Sequence, residues 1–247
     1  MPGHETLAQM YGEEYGKHFA GDPNGEDVRE SLRVIEWLRR SEPGTFIDYG
    51  CGAGQLLKEA AKLNWSTAGV EFDERVAEEV RKRTGAVVVT RPGELLNGPL
   101  ADVLHVGDVI EHLTEINRQM REIVGLIKPG GLLLAQGPLE GNANLFTSML
   151  RLSRTARRRR RTEMAPYHVL LATAAGQRML FQRFGLEEVE YSVREVSWPA
   201  PSKLSLTELG RPRSVGLFIL RRCSQAVSTL RPGRWGNRYF YVGRRNG

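Results

Sequence analysis

The sequence has few cysteines and no long apolar run, and each absence excludes a class of protein. Cys51 and Cys223 are the only cysteines, too few for a disulfide framework, and neither has a cysteine or histidine neighbour at zinc-ligand spacing. The longest apolar runs, such as Val215 to Leu220, are far shorter than the roughly 20 residues that cross a bilayer. The first ten residues, MPGHETLAQM, carry neither the basic start nor the apolar stretch of a secretory leader. We therefore expect a reducing, cytoplasmic location and no membrane-spanning segment.

Acidic residues are missing from two stretches, and the positive charge of the chain is concentrated there. Arg151 to Arg161 contains seven Arg and Leu209 to Gly247 contains nine, with no Asp or Glu in either stretch. Without those 16 cations the net charge of +6 becomes −10, so the rest of the molecule is acidic. Both stretches could meet an anionic partner. Arg157 to Arg161, preceded by Arg151 and Arg154, could bind phosphate, a nucleotide-sugar, RNA or a carrier protein, or could be a solvated arginine loop. Because no aromatic residue lies between Leu150 and Pro166, nucleic acid is the weaker candidate partner.

Strand and helix patterns alternate along most of the chain. With 247 residues, 40% of them apolar, the chain is long enough to bury the core of one domain. The predicted helices cover residues 27–40, 55–63, 73–84, 113–127, 173–184 and 214–230, and the predicted strands cover 45–48, 65–70, 85–90, 101–106, 132–136, 186–193 and 238–242. We expect the valine-rich strand 85–90 to be buried on both faces and Pro129-Gly130-Gly131 to form a turn. The alternation predicts an α/β fold of the Rossmann-like type, a doubly wound, mostly parallel sheet with helices on both faces.

A glycine-rich loop separates the first predicted strand from the following helix. It has the sequence Asp48-Tyr49-Gly50-Cys51-Gly52-Ala53-Gly54, and glycine at such a turn lets the backbone approach a ligand. The spacing of a dinucleotide fingerprint is absent, and no Gly-Lys-Ser/Thr closes a P-loop. The loop therefore favours a nucleoside without phosphates. Glu71 ends the second strand about 20 residues further on, where an acid binds ribose hydroxyls, and Phe72 could lie against adenine.

The chain resembles the class I S-adenosylmethionine-dependent methyltransferases. The similar segments are, in order, FIDYGCGAGQLL, GVEFD, DVIEHL and LIKPGGLLL, and they span Thr45 to Gln136. DVIEHL is most similar to the branch that includes ubiquinone-biosynthesis O-methyltransferases and many sugar, lipid and natural-product methyltransferases. The resemblance implies S-adenosyl-L-methionine as cofactor and an antiparallel last strand. The resemblance implies cofactor binding by Asp48, by the loop residues Gly50, Cys51, Gly52 and Gly54, by Glu71 and by Glu94. Phe72 and Asp108 complete the predicted cofactor-binding set.

The candidate catalytic residues follow the fourth strand. Methyl transfer is an in-line displacement, and a general base assists it when the acceptor is a hydroxyl. His112 is the first candidate for that base, because ligands of open sheets bind at the carboxyl ends of the strands. Asp108, Glu111 and His112 would share one side of a helical turn. Together with His168, which lies in the segment PYHVLL, these residues form a set of two carboxylates and two imidazoles.

Two interpretations of these acids and histidines remain open. They could hold a divalent cation that polarises an acceptor hydroxyl, since small-RNA 2′-O-methyltransferases and some quinone-pathway enzymes use a similar arrangement for a metal. Alternatively, Glu111 and His112 hold the loop by hydrogen bonds while Asp108 touches the cofactor, and we assign no metal. His105, in the middle of a strand, is expected to be a packed core histidine.

We expect one methyltransferase domain over residues 1–247. It comprises an N-terminal helical cover (1–44), the cofactor-binding core (45–137), a basic insertion (138–172) and a C-terminal region with a helix, strands and an amphipathic helix (173–247). In the cover, Tyr11, Tyr15 and Phe19 recur at steps of four and would pack on the core or close over an acceptor.

The last predicted helix, residues 214–230, is amphipathic and basic. Its predicted apolar face consists of Ile219, Cys223, Ala226, Val227 and Leu230. We favour a helix that packs on the sheet through this face. The alternative is a basic helix lying on an anionic membrane surface, which would make a peripheral membrane contact.

The predicted reaction is O-methylation of a small-molecule acceptor: a sugar, a lipid-like molecule or a natural product, with an anionic group suggested by the arginines. His112, His168 and Glu111 are the predicted catalytic residues. The alternatives are an RNA 2′-O-methyltransferase with a metal-assisted site, and a non-catalytic cofactor-binding partner protein.

Overall fold

A computed structural model of the chain describes residues 26–142, 144–152, 168–196, 204, 209–230 and 235–247. The α-helices in these ranges are α1 (Glu26–Arg40), α2 (Gln55–Lys62), α3 (Glu74–Thr84), α4 (Ile116–Gly125), α5 (Leu145–Leu152), α6 (Ala174–Arg183) and α7 (Pro212–Leu230). The strands are β1 (Thr45–Tyr49), β2 (Ser66–Val70), β3 (Val87–Val89), β4 (Ala101–Gly107), β5 (Ile127–Pro138), β6 (Leu186–Arg194) and β7 (Arg238–Arg245). Short 3-10 turns cover Pro92–Asn97 and Ile110–His112. None of the helices in the described ranges is long and apolar enough to cross a membrane.

Two predicted features lie outside the described residues. They are the aromatic positions Tyr11, Tyr15 and Phe19, and the arginine run from Arg157 to Arg161.

The strands form one seven-stranded sheet of order β3-β2-β1-β4-β5-β7-β6. β1 to β5 pair in parallel, whereas β7 is antiparallel to both of its neighbours. The predicted Rossmann-like, doubly wound sheet with an antiparallel last strand is therefore confirmed. The chain order reverses between β1 and β4, which is the topological switch point where open α/β sheets bind ligands.

Helices cover both faces of the sheet, as predicted. On one face, α1, α2 and α3 bury apolar side chains such as Leu38, Leu57 and Val80 against the sheet. On the other face, α4 and α6 bury residues that include Met120 and Phe181. Each helix offers an apolar side at helical spacing, so burying it against the sheet stabilises both layers.

Two local predictions about the strands are wrong. β3 is an edge strand, and Val87 is 61% exposed, so the valine-rich segment is not buried on both faces. Pro129-Gly130-Gly131 lies inside β5, where the register changes from Ala101 opposite Ile127 to Val103 opposite Leu132. Gly130 has a φ of +80°, as a turn needs, and the segment forms a bulge within β5, because β4 pairs with Ile127 before it and with Leu132 after it.

The predicted packing of the last helix is also wrong. Helix α7 contacts α5 and β6, but its buried residues are Arg221, Ser224 and Ser228. Most of the predicted apolar face points to solvent: Ile219 is 55% exposed and Leu230 81% exposed. The apolar pattern predicts that hydrophobic contacts orient this helix. In the structure, hydrogen bonds and a buried ion pair orient it instead.

Removing one partner of that ion pair should destabilise the fold. The guanidinium of Arg221 donates to the carboxylate of Glu195, and their side chains are 2% and 0% exposed. Arg221→Met removes the cation that lies against this buried carboxylate, so we expect the free energy of unfolding to fall by about 3–5 kcal/mol. In chemical denaturation, the double variant Arg221→Met/Glu195→Leu should regain most of that loss. Equal loss in the single and double variants would show that the pair contributes only packing.

Candidate active site

The glycine loop follows β1 at the topological switch point. Gly50, Gly52 and Gly54 have φ angles of +82°, +47° and +68°, a conformation that side chains disfavour. The backbone N–H groups of Gly50 and Cys51 donate to the Val70 carbonyl at 2.8 and 3.0 Å, so the loop is tied to the end of β2. A Cβ on Gly50 would lie 2.5 Å from Val109 Cγ2, whereas a Cβ on Gly52 would meet no atom within 4 Å. Gly52 therefore faces open space that a ligand can fill.

Glu71 lies at the end of β2 and joins the loop to the next helix. Its Oε2 accepts from the Gly52 N–H at 2.9 Å and its Oε1 from the Asp73 N–H at 3.1 Å. Burial raises the pKa of this carboxyl, while the two backbone hydrogen bonds act in the opposite direction. A carboxylate has about four acceptor positions, so two remain for the hydroxyls of a ribose.

Phe72 and Glu94, the residues expected near the adenine, are both exposed. Phe72 is 48% exposed, and its ring lies edge-on to that of Tyr49 with centroids 5.8 Å apart. Glu94 is exposed in the 3-10 turn that follows β3. An exposed aromatic ring next to Glu71 offers a flat apolar surface for a base.

Asp48 and His105 form a buried pair beneath the loop. Asp48 Oδ1 lies 2.7 Å from His105 Nδ1, and each side chain is 5% exposed. His105 is therefore a buried core histidine, as expected, and it also holds Asp48. Within the described part of the chain, His105 Nε2 and Gln136 Oε1 have no hydrogen-bond partner.

Glu111, His112 and His168 come together at the carboxyl end of β4. One potential ligand atom from each residue lies within 4.8 Å of the others, and the two imidazole centroids are 4.9 Å apart. The Glu111 carbonyl accepts from the backbone N–H groups of Val169 and Leu170 at 2.8 and 3.0 Å. These bonds fix the chain after His168 to the 3-10 turn that carries Glu111 and His112.

The environment of Glu111 is unusual for a carboxyl group. The residue is 5% exposed, and burial raises its pKa well above the ordinary value, with the charge of Asp108 acting in the same direction. The cluster thus combines a carboxyl group that resists ionisation with two partly exposed imidazoles. Such a set can accept a proton or bind a divalent cation.

Asp108 does not join this cluster among the described residues. Its backbone has a φ of +51°, and Arg238 Nη2 donates to its Oδ2 at 2.7 Å. The expectation that Asp108, Glu111 and His112 share one side of a helical turn is therefore wrong for Asp108, because the 3-10 turn begins only at Ile110. Arg238 comes from the start of β7, which crosses the sheet beside β5.

Sequence reasoning missed three further residues at this site. Glu140 Oε1 lies 3.0 Å from His168 Nδ1, and its place just beyond β5, at the same edge of the sheet, is the signal that could have identified it. Gln177 and Tyr239 line a small cavity of about 10 Å³ beside Glu111. No local pattern marks these two residues, which come from α6 and β7.

The sheet topology and the glycine loop at its switch point are those of the Rossmann-like folds that bind nucleotides. The family model described as a methyltransferase domain matches residues 27–191. The chain therefore belongs to the SAM-dependent methyltransferase family, and S-adenosyl-L-methionine is its cofactor.

Known relatives agree with this family assignment. The chain is 27% identical over 124 residues to a ubiquinone biosynthesis O-methyltransferase from Rhizobium johnstonii, covering 47% of this chain and 45% of that protein. The chain thus spans about half the length of the curated relatives that it matches.

Solved structures show the same fold. Magnesium protoporphyrin IX methyltransferase from Synechocystis with bound SAH has a TM-score of 0.59 at 14% identity, over 98% of this chain and 100% of that one. A SAM-dependent methyltransferase from Thermotoga maritima, described as a possible histamine N-methyltransferase, has a TM-score of 0.56 at 19% identity, over 97% and 99% of the two chains.

Proposed function

We propose that this protein transfers the methyl group of S-adenosylmethionine to a hydroxyl oxygen of a small molecule. The cluster of Glu111, His112 and His168 carries the proposal, because it places basic groups at the carboxyl end of β4, next to the glycine loop after β1. The matched O-methyltransferases of ubiquinone biosynthesis support oxygen as the acceptor atom. The acceptor classes that fit are a sugar, a lipid-like molecule or a natural product.

Each residue then has a chemical role. When bound, S-adenosylmethionine supplies an electrophilic methyl group on a sulfonium. His112 takes the proton of the acceptor hydroxyl while the new C–O bond forms and the C–S bond breaks, which leaves S-adenosylhomocysteine. Glu71 holds the ribose, and the glycine loop holds the methionine part, so that the methyl carbon and the acceptor oxygen meet in line.

The residues around His112 orient the acceptor side. Glu140 pairs with His168 and fixes the direction of that imidazole. Arg238 neutralises Asp108 at the same edge, so an anionic group on the acceptor would meet less repulsion there. The two arginine-rich stretches of the sequence would attract such an acceptor as well.

The close approach of Glu111, His112 and His168 favours a second arrangement, in which the three residues hold a divalent cation. The donor set fits, since one carboxylate and two imidazoles are common ligands of such metals and Glu140 supports His168 as an outer-shell carboxylate does. A cation there would polarise the acceptor hydroxyl.

Chelation separates the two arrangements. With a metal, dialysis against EDTA should lower turnover, added Mg²⁺ or Zn²⁺ should restore it, and His168→Ala should weaken metal binding in calorimetry. Turnover that survives chelation, with no metal bound by the wild-type protein, would leave His112 acting as a base alone.

Label transfer tests the proposed function as a whole. The protein is incubated with methyl-labelled S-adenosylmethionine and lysate separated into lipid, RNA, protein and small polar pools. We expect label in the lipid or small polar pool, and mass spectrometry of the product should show an O-methyl group. Label in RNA would support the 2′-O-methyltransferase alternative, and an N-methyl product would contradict the proposal. Cofactor binding without transfer to any pool would favour a non-catalytic partner protein.

A further inference from the structure

Helix α7 packs with its polar side toward the protein. Arg221 is 1% exposed, lies 3.5 Å above the ring of Phe146 and donates to the Val196 carbonyl at 3.2 Å. Ser224 Oγ accepts from the Phe146 N–H at 3.2 Å, and Ser228 Oγ donates to the Trp235 carbonyl at 2.6 Å. These contacts fix which side of the helix faces outward.

The outward side carries a row of apolar residues, which we call the outward stripe: Ile219, Cys223, Ala226 and Leu230. All four are exposed, Ile219 by 55% and Leu230 by 81%. Their spacing of four, three and four residues places them along one side of a helix that is 19 residues, or roughly 28 Å, long. A helix that buries serine and arginine while exposing isoleucine and leucine is typical of an interaction surface.

Exposed arginines lie on and next to the helix that carries this stripe. Arg211, Arg213 and Arg222 are exposed on or next to α7, and residues 209–247 contain no acid. The partner of this surface should therefore be both apolar and anionic.

We propose that the outward stripe of α7 docks the protein on an anionic lipid surface. The aliphatic side chains would enter the boundary between headgroups and acyl chains, and the arginines would contact the phosphates. A lipid surface fits better than RNA. Proteins that bind single-stranded RNA stack its bases on aromatic side chains, and the stripe has no aromatic residue. The proposal does not depend on which acceptor is methylated, although docking would bring the active site close to a lipid-soluble one.

Vesicle co-sedimentation of the full chain tests the proposal. Vesicles of phosphatidylcholine with about 30% phosphatidylglycerol should bind the protein, pure phosphatidylcholine should bind it weakly, and binding should fall as salt rises to about 0.5 M. Ile219→Ser/Leu230→Ser should lower partitioning about tenfold or more, since it removes two large apolar side chains from the interface. The matched control is Leu32→Ser/Met179→Ser, at positions 56% and 69% exposed on other helices, and it should bind like wild type.

Several results would overturn the proposal. Equal partitioning of the stripe variant and wild type would show that α7 does not dock, and circular dichroism and cofactor affinity verify that both variants are folded. No binding to anionic vesicles at low salt would also contradict it. If light scattering instead shows a dimer that the stripe variant loses, without vesicle binding, the stripe joins two copies of the chain. Salt-dependent RNA binding without vesicle binding would assign the surface to nucleic acid.

Discussion

Replacing His112 with alanine is expected to lower kcat by about 10²- to 10⁴-fold while leaving the affinity for S-adenosylmethionine unchanged. Loss of a positioned general base has effects of this size, and the imidazole follows β4, whereas Glu71, the carboxylate that we propose binds the ribose, follows β2. Steady-state kinetics and calorimetry measure the two quantities separately. The limb of the pH–rate profile that reports loss of a proton from the base should disappear with the imidazole.

Glu140→Gln serves as the comparison for this variant. Glu140 contacts His168 and in the proposed mechanism orients that imidazole, so we expect a smaller loss of kcat than for His112→Ala. An unchanged kcat in His112→Ala would contradict the assignment of the base. A weakened cofactor affinity with unchanged kcat would place His112 in the binding site instead.

Replacing Glu71 with alanine should weaken S-adenosylmethionine binding about 100-fold or more. In the proposed complex Glu71 accepts from two ribose hydroxyls, and hydrogen bonds to a charged group contribute roughly 1.5–3 kcal/mol each. The change also removes the carboxylate that accepts from the Gly52 N–H at 2.9 Å, so the loop loses a fixed point next to the ligand. Glu71→Gln, which keeps one acceptor oxygen and the shape, should lie between wild type and alanine.

Glu74→Gln is the matched control for the Glu71 variants. Glu74 lies three residues further along and pairs with Arg81 at the surface, where its side chain is 67% exposed. We expect the affinity of the Glu74→Gln protein for S-adenosylmethionine to stay within a few-fold of wild type, since exposed ion pairs contribute little to stability. Equal affinity in Glu71→Ala and wild type would show that this carboxylate does not bind the ribose.

The order of strands and helices could be predicted from the sequence because local patterns carry it. Apolar residues at helical spacing marked α2 and α3, and the glycine loop marked the switch from β1 to α2. The bulge in β5 could not be predicted, because Pro129-Gly130-Gly131 has the local sequence of a turn, and only the pairing of β4 with Ile127 before it and Leu132 after it makes one strand of the two parts.

The parts of the site and fold that prediction missed depend on residues far apart in the chain. Asp108 turns toward Arg238, 130 residues away, and no spacing rule indicates such a pair. The orientation of helix α7 was mispredicted for the same reason, since its apolar pattern predicts that the apolar residues face the protein. The buried pair of Arg221 with Glu195 turns that face outward, and an ion pair between separate elements leaves no periodic signal.

A crystal structure of the protein with S-adenosylhomocysteine tests most directly whether the nucleoside binds between the glycine loop and Glu71. We predict both ribose hydroxyls within about 3.2 Å of the Glu71 carboxylate, the base beside Phe72 and the amino-acid part along residues 50–54. A nucleoside bound elsewhere on the molecule, with side chains of the protein filling the space between the glycine loop and Glu71, would contradict the account.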